Sequence, residues 1–225
     1  KPLPFPFPYF NDGPLHYPMF IFQCISIVIS GWINGGMDVT ITGFMLIVGV
    51  QFDILKYQID YFIGQQQEEK LKKCYIYHTR IFELTKQIQR VFSIGLLAQF
   101  ASSIVCICNT GFHFMLITWK SVQFINLMFY FTAMLVQLWM YCWFGNEIIL
   151  KSIQVGDACY NSKWYELDSK LIKNYVFLIM ERCKRPIAIS VYGLATLSLT
   201  SYVSILNWSY SYYALLRRLY AKTTD

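Results

Sequence analysis

Of 225 residues, 56% are hydrophobic and only 14% charged, with 18 Phe, 17 Tyr and 6 Trp, a balance far too apolar for one soluble domain of this length. The formal charge of +6 invites a nucleic-acid reading, but the basic residues are not gathered on one face with stacking aromatics between them. They sit in loops between apolar runs, and the chain reads as an all-α membrane protein with four transmembrane helices and helical extensions outside the bilayer.

Residues 1–18 place proline at alternate positions from Pro2 to Pro8, which removes backbone donors and favours an extended lead-in to the first span. The chain starts at Lys1 without methionine, and no basic start with a short apolar core and cleavage site follows, so a fragment is expected. Residues 19–52 form the first membrane helix, longer than the ~20 residues that cross a ~30 Å core. Its small and polar positions Gln23, Ser26, Ser30, Gly31 and Asn34 fall on one face. That face suits close helix packing or a pocket wall with a few polar groups, and both readings stand. Asp38 lies ~28 Å from Met19 at ~1.5 Å per residue, which puts it near the far interface.

Residues 53–90 are expected as a helical region outside the bilayer, because Tyr57, Tyr61, Tyr75, Tyr77, Phe82 and Leu84 recur among charges at helix-like spacing. Residues 91–117 and 123–150 are the second and third spans, joined over 118–122 by a tight hairpin around Lys120 and Ser121. In 151–185 the aromatics return with Trp164, Tyr165 and Tyr175, and Leu167 to Arg185 reads as an amphipathic helix halting at Pro186, a residue tolerated at the first position of the next helix. Residues 186–217 are the fourth span, free of charge from Pro186 to Leu216, and 218–225 are the tail.

Orientation follows from lysine and arginine. Residues 53–90 hold seven, 151–185 hold seven, and the rest of the chain holds five. The two rich segments are therefore expected in the cytoplasm, with both chain ends outside, which argues against a G-protein-coupled receptor. The seven cysteines are split between apolar runs and charged loops and give no disulfide framework. Cys106 and Cys108 diverge by ~200° on a helix with no histidine to complete a metal set. No serine, histidine and acid, or cysteine and histidine, converge in sequence. Neither enzyme, cofactor nor metal is expected.

Cys142-Trp143-Phe144-Gly145-Asn146-Glu147, then Ser152, Ala158-Cys159-Tyr160, Trp164-Tyr165, Arg185-Pro186 and Ser209-Tyr210-Ser211-Tyr212 together resemble the insect odorant receptor family. Tyr17 with Gln23, Asp38, Gln51-Phe52 and Leu55 resemble its fourth span and the cytosolic extension of that span, so the likeness covers nearly the whole chain as spans four to seven. The resemblance implies a tuning subunit of an odorant-gated, non-selective cation channel, working in a hetero-tetramer with a co-receptor in the plasma membrane of olfactory sensory neurons. It implies an odorant pocket, expected at Phe20, Ile27, Ser30, Gly31, Met128, Phe131 and Leu135. It also implies a hydrophobic gate at Leu215 and Leu219 with Arg218 between them, and a subunit anchor at Trp164, Tyr165 and Tyr175. The partners implied are a small volatile apolar odorant, the co-receptor and membrane lipid, with no nucleic acid. A gustatory receptor of the same superfamily is the nearest rival, but its usual Thr-Tyr and Gln-Phe ending is replaced here by Ser211-Tyr212 and Arg217-Arg218. A transporter fragment would need broken helices with charged coupling residues at mid-depth, for which only Asp38 makes a partial case.

Overall fold

A computed structural model describes residues 16–116, 121–162, 164–166, 168–191 and 195–224. It contains five α-helices: α1 (His16–Gly64), α2 (Glu68–Leu116), α3 (Val122–Asn161), α4 (Lys170–Cys183) and α5 (Leu199–Thr224). A 3-10 turn, Trp164–Glu166, precedes α4, and two short strands, β1 (Ser190–Val191) and β2 (Ala195–Thr196), precede α5. The described residues are thus almost wholly helical. At ~1.5 Å per residue α1 and α2 are each ~74 Å long, more than twice a ~30 Å hydrocarbon core.

The chain divides into two units, 1–43 and 44–225. In the first, the described part is the opening of α1, whose flanks expose Phe22, Ile25, Val28, Ile29, Trp32 and Ile33. Its hydroxyls are satisfied by carbonyls one turn back, Ser26 donating to the Phe22 carbonyl at 2.8 Å and Thr40 to that of Gly36 at 2.7 Å, as polar groups in an apolar setting require.

In the second unit, α3 presents Leu138, Tyr141, Cys142, Gly145, Ile148, Ser152, Val155 and Cys159 to the core, steps mostly of three and four that make a continuous buried stripe. Most of the cysteine, glycine and serine positions singled out in the sequence lie on it. Gly145 is there because nothing larger fits: a Cβ would lie 2.4 Å from Leu197 Cβ and 2.5 Å from the Leu197 carbonyl oxygen. Gly156 admits α4 in the same way, a Cβ standing 2.9 Å from Cys183 Cβ. The turn between α1 and α2 uses Gln66 at φ 53°, the left-handed region rarely taken by residues other than glycine, asparagine and aspartate.

α4 runs parallel to the start of α2. Ser169 donates to Glu68, the Tyr175 ring lies 6.1 Å from that of Tyr75, and Arg182 sits over Phe82 at 4.6 Å. Its boundaries are narrower than the expected Leu167 to Arg185, since Ser169 caps it by accepting from the Ile172 amide at 3.3 Å.

The fourth expected span needs correction. Residues 186–191 and 195–198 are not helical: Pro186 does not open a helix, and β1 pairs antiparallel with β2, Ser190 opposite Thr196 and Val191 opposite Ala195. Ile187, Ile189 and Val191 are buried while Ala188 and Ser190 are less so, the period-two alternation of a strand. Leu197 N donates to the Ile189 carbonyl at 2.8 Å and Gln89 to Ser190 Oγ at 2.8 Å, so this irregular backbone is satisfied by protein. Among the described residues three helices, α1, α2 and α3, are long and apolar enough to cross a membrane, not four. α5 has the length at 26 residues, but its many hydroxyls dilute the apolar signal.

Candidate functional site: a cavity against the last helix

Within the second unit α2, α3 and α5 form a half-open cavity of about 280 Å³ lined by Ile107, Gly111 and Phe114 of α2, Phe131 of α3, and Leu206, Ser209, Tyr210 and Tyr213 of α5. The aromatic wall is ordered by edge contacts, Phe114 meeting Phe131 at 5.6 Å and 84° and Phe124 at 5.4 Å and 64°, the geometry favoured by ring quadrupoles. Gly111 keeps the floor open, because a Cβ there would just touch Tyr213 at 3.7 Å. Ser121 fixes the start of α3 by accepting from the Gln123 amide at 3.1 Å. The lining holds no Asp, Glu, Lys, Arg or His.

Of the expected pocket residues, Phe131 alone lines this cavity. Its helix neighbours Met128, 42% exposed, and Leu135, half-buried, lie outside the lining. Phe20 is half-buried, while Ile27, Ser30 and Gly31 are exposed on the first unit. What sequence reasoning missed is the contribution of α2 and α5. The hydroxyl and ring cluster from Ser209 to Tyr213 was a signal for it.

The expected gate residues share one face of α5, at spacings of three and four. Leu215 is 54% exposed and Arg218 is exposed. Leu219 lies on the same helix, but its side chain falls outside the described residues, as do residues 1–15 and 117–120 entirely.

At the opposite end α1, α2, α3 and α4 form a dense cluster. Phe52 packs edge-on against Phe82 at 6.0 Å and His78 at 6.4 Å, and His78 faces Cys183 with Nε2 3.9 Å from Sγ. Burial, seconded by the Arg182 charge, lowers the His78 pKa to about 4. Burial likewise raises the Cys74 and Cys183 thiols to about 11, so all three groups are neutral and act as packing residues. Lys151 of α3 holds Asp53 of α1 at 2.6 Å, and Tyr77 donates to Gln51. The expected anchor residues are spread: Tyr175 leans on Tyr75, Tyr165 is exposed, and Trp164 has its Nε1 buried without a partner among the described residues.

Long apolar helices, a dense block at one end and a small aromatic cavity against the last helix at the other define the class: a multi-helix membrane protein. Residues 1–210 match the model of the 7tm odorant receptor family, and the chain belongs to that family. Odorant receptor 46a isoform A of Drosophila melanogaster is 24% identical over 217 residues, covering 93% of this chain and 57% of that protein. Odorant receptor Or2 of Anopheles gambiae is 31% identical over 151 residues, 67% of this chain and 39% of that one. The chain therefore spans about half the length of these relatives. Its fold matches the insect olfactory receptor OR5 from Machilis hrabei in complex with eugenol at a TM-score of 0.85 and 16% identity, covering 95% of this chain and 56% of the other.

Proposed function

We propose that this chain is the tuning subunit of an odorant-gated, non-selective cation channel that assembles with a co-receptor as a hetero-tetramer. The observation that carries this reading is the cavity's position: half of its lining residues belong to α5, the helix that also bears Leu215, Arg218 and Leu219. An occupant touches the closing helix directly. If it fits better when α5 has shifted, it biases the equilibrium toward that state and wets the leucine constriction. Family membership and the fold shared with a receptor solved with eugenol support a small volatile ligand.

The distribution of lysine and arginine supports a cytosolic α4 and an extracellular carboxyl end. The exposed Tyr165 and the outward apolar faces of the long helices offer surfaces to neighbouring subunits and lipid. Arg218 in a narrow ring would oppose cation passage, so we place its side chain away from the conduction path or among co-receptor subunits that lack it.

The test is odorant-evoked current in cells expressing the full-length chain with a co-receptor. Current that needs both subunits supports the reading; a surface-expressed pair silent to a broad odorant panel overturns it. Phe131→Ala is expected to raise half-maximal concentrations about tenfold for responsive odorants, equivalent to ~1.4 kcal/mol of lost aromatic contact. Arg218→Gln is expected to leave ion selectivity unchanged.

A further inference from the structure

We propose that the cavity between α2, α3 and α5 selects a neutral, mostly apolar molecule carrying one hydrogen-bonding oxygen, which Ser209 Oγ binds directly on the closing helix. The inference rests on reading the chain as an odorant receptor and names the chemistry of its ligand. Ser209 is 7% exposed, and its Oγ is buried with no hydrogen-bond partner among the described residues. Its neighbours on the same helix behave differently: Ser204 donates to the Thr200 carbonyl and Ser211 to the Asn207 carbonyl, both at 2.9 Å. A buried hydroxyl without a partner costs free energy. This one lines a space large enough to admit a partner.

Size and polarity narrow that partner. About 280 Å³ falls just below the ~300–1,000 Å³ of drug-sized pockets, so the occupant is small. Phe114 and Phe131 present a ring edge and face at 84°, and a phenyl group extends that edge-to-face pattern. With no charged residue in the lining, a carboxylate or ammonium would lose its hydration uncompensated and is excluded. A serine hydroxyl donates to a carbonyl or accepts from an alcohol, so alcohols, aldehydes and ketones qualify and hydrocarbons of the same shape lose the bond.

The experiment uses matched probes, 2-phenylethanol and propylbenzene, then a panel of phenyl alcohols each paired with its alkylbenzene, on the full-length receptor with its co-receptor. The wild type should respond at lower concentration to the oxygenated member of each pair. Ser209→Ala should raise its half-maximal concentration about fivefold, the loss of one neutral hydrogen bond, and leave the hydrocarbon unchanged. Ser209→Thr should keep the preference, and Gly111→Leu, which fills the floor, should abolish both responses at normal surface expression. Equal shifts for both members of a pair in Ser209→Ala, or no shift at all, would mean water or nothing sits at Ser209, and would overturn the inference while leaving the receptor reading intact. Silence of the wild type to every volatile overturns both.

Discussion

The two ends of the second unit follow opposite packing rules. Where α4 meets α2 and α3, side chains such as Leu55, Ile59, Leu71, Val155, Val176 and Ile179 have essentially no exposed surface, and two glycines are used to bring backbones closer. At the α3–α5 end, Phe129, Trp208 and Tyr210 are more than two-thirds exposed, and aromatic rings surround empty space rather than fill it. A close-packed block resists deformation, whereas a loosely filled one can change its occupant and shape at little cost. The contrast assigns rigidity to the α4 end and responsiveness to the other.

The largest expected effect breaks the rigid end. Ile179→Ala should cost about 3–4 kcal/mol, the transfer and cavity terms of a fully buried isoleucine, while Phe129→Ala, 73% exposed, should cost no more than ~0.5 kcal/mol; thermal unfolding of the purified receptor in detergent compares them. Similar losses at the two sites would remove the contrast. Gly145→Ala should come next, at about 2–3 kcal/mol, because its methyl group meets Leu197 backbone that must move. Failure to lower the melting temperature would show that the β1–β2 segment yields easily.

His78 provides a pH test of the same block. Its folded pKa of about 4 lies below the ordinary 6.5, so the unfolded chain binds the extra proton between those values. Its contribution to stability is full above about 6.5, declines as pH falls toward 4 and levels off beneath it. Melting temperatures of wild type and His78→Leu should therefore diverge across that window; parallel curves would refute burial of a neutral imidazole. A small effect is expected at Asp53→Asn, since the Asp53 and Lys151 side chains are 44% and 21% exposed, and water screens such a pair to ~1 kcal/mol or less. A larger loss on unfolding would place this pair inside the cooperative block.

Much of this architecture was legible in the chain. The apolar runs of α1, α2 and α3 exceed bilayer thickness, and the stripe from Cys142 to Cys159 repeats at helical spacing. Residues 187–191 and 195–197 were misread because an uncharged run of 31 residues looks like one span by length. The alternation Ile187, Ile189, Val191 carried the contrary signal over too few residues to outweigh it. Phe131, expected by depth and face along α3, lines the cavity. Its cavity partners were not expected, since Gly111 and Ser209 lie far apart in sequence and only tertiary packing brings them to one wall. The bare hydroxyl of Ser209 is likewise invisible in a string where Ser204, Ser209 and Ser211 look alike.

α2 links the two ends without a proline anywhere in its 49 residues. It is a single rod, with Tyr75 and Phe82 against α4 near its start and Gly111 and Phe114 at the cavity near its end. At ~74 Å, each degree of tilt about one end displaces the other by about 1.3 Å. Such leverage makes the mounting at Tyr75 and Phe82 a fulcrum, and over the ~50 Å from there to Gly111 and Phe114 one degree of slack would shift the cavity wall by about 0.9 Å.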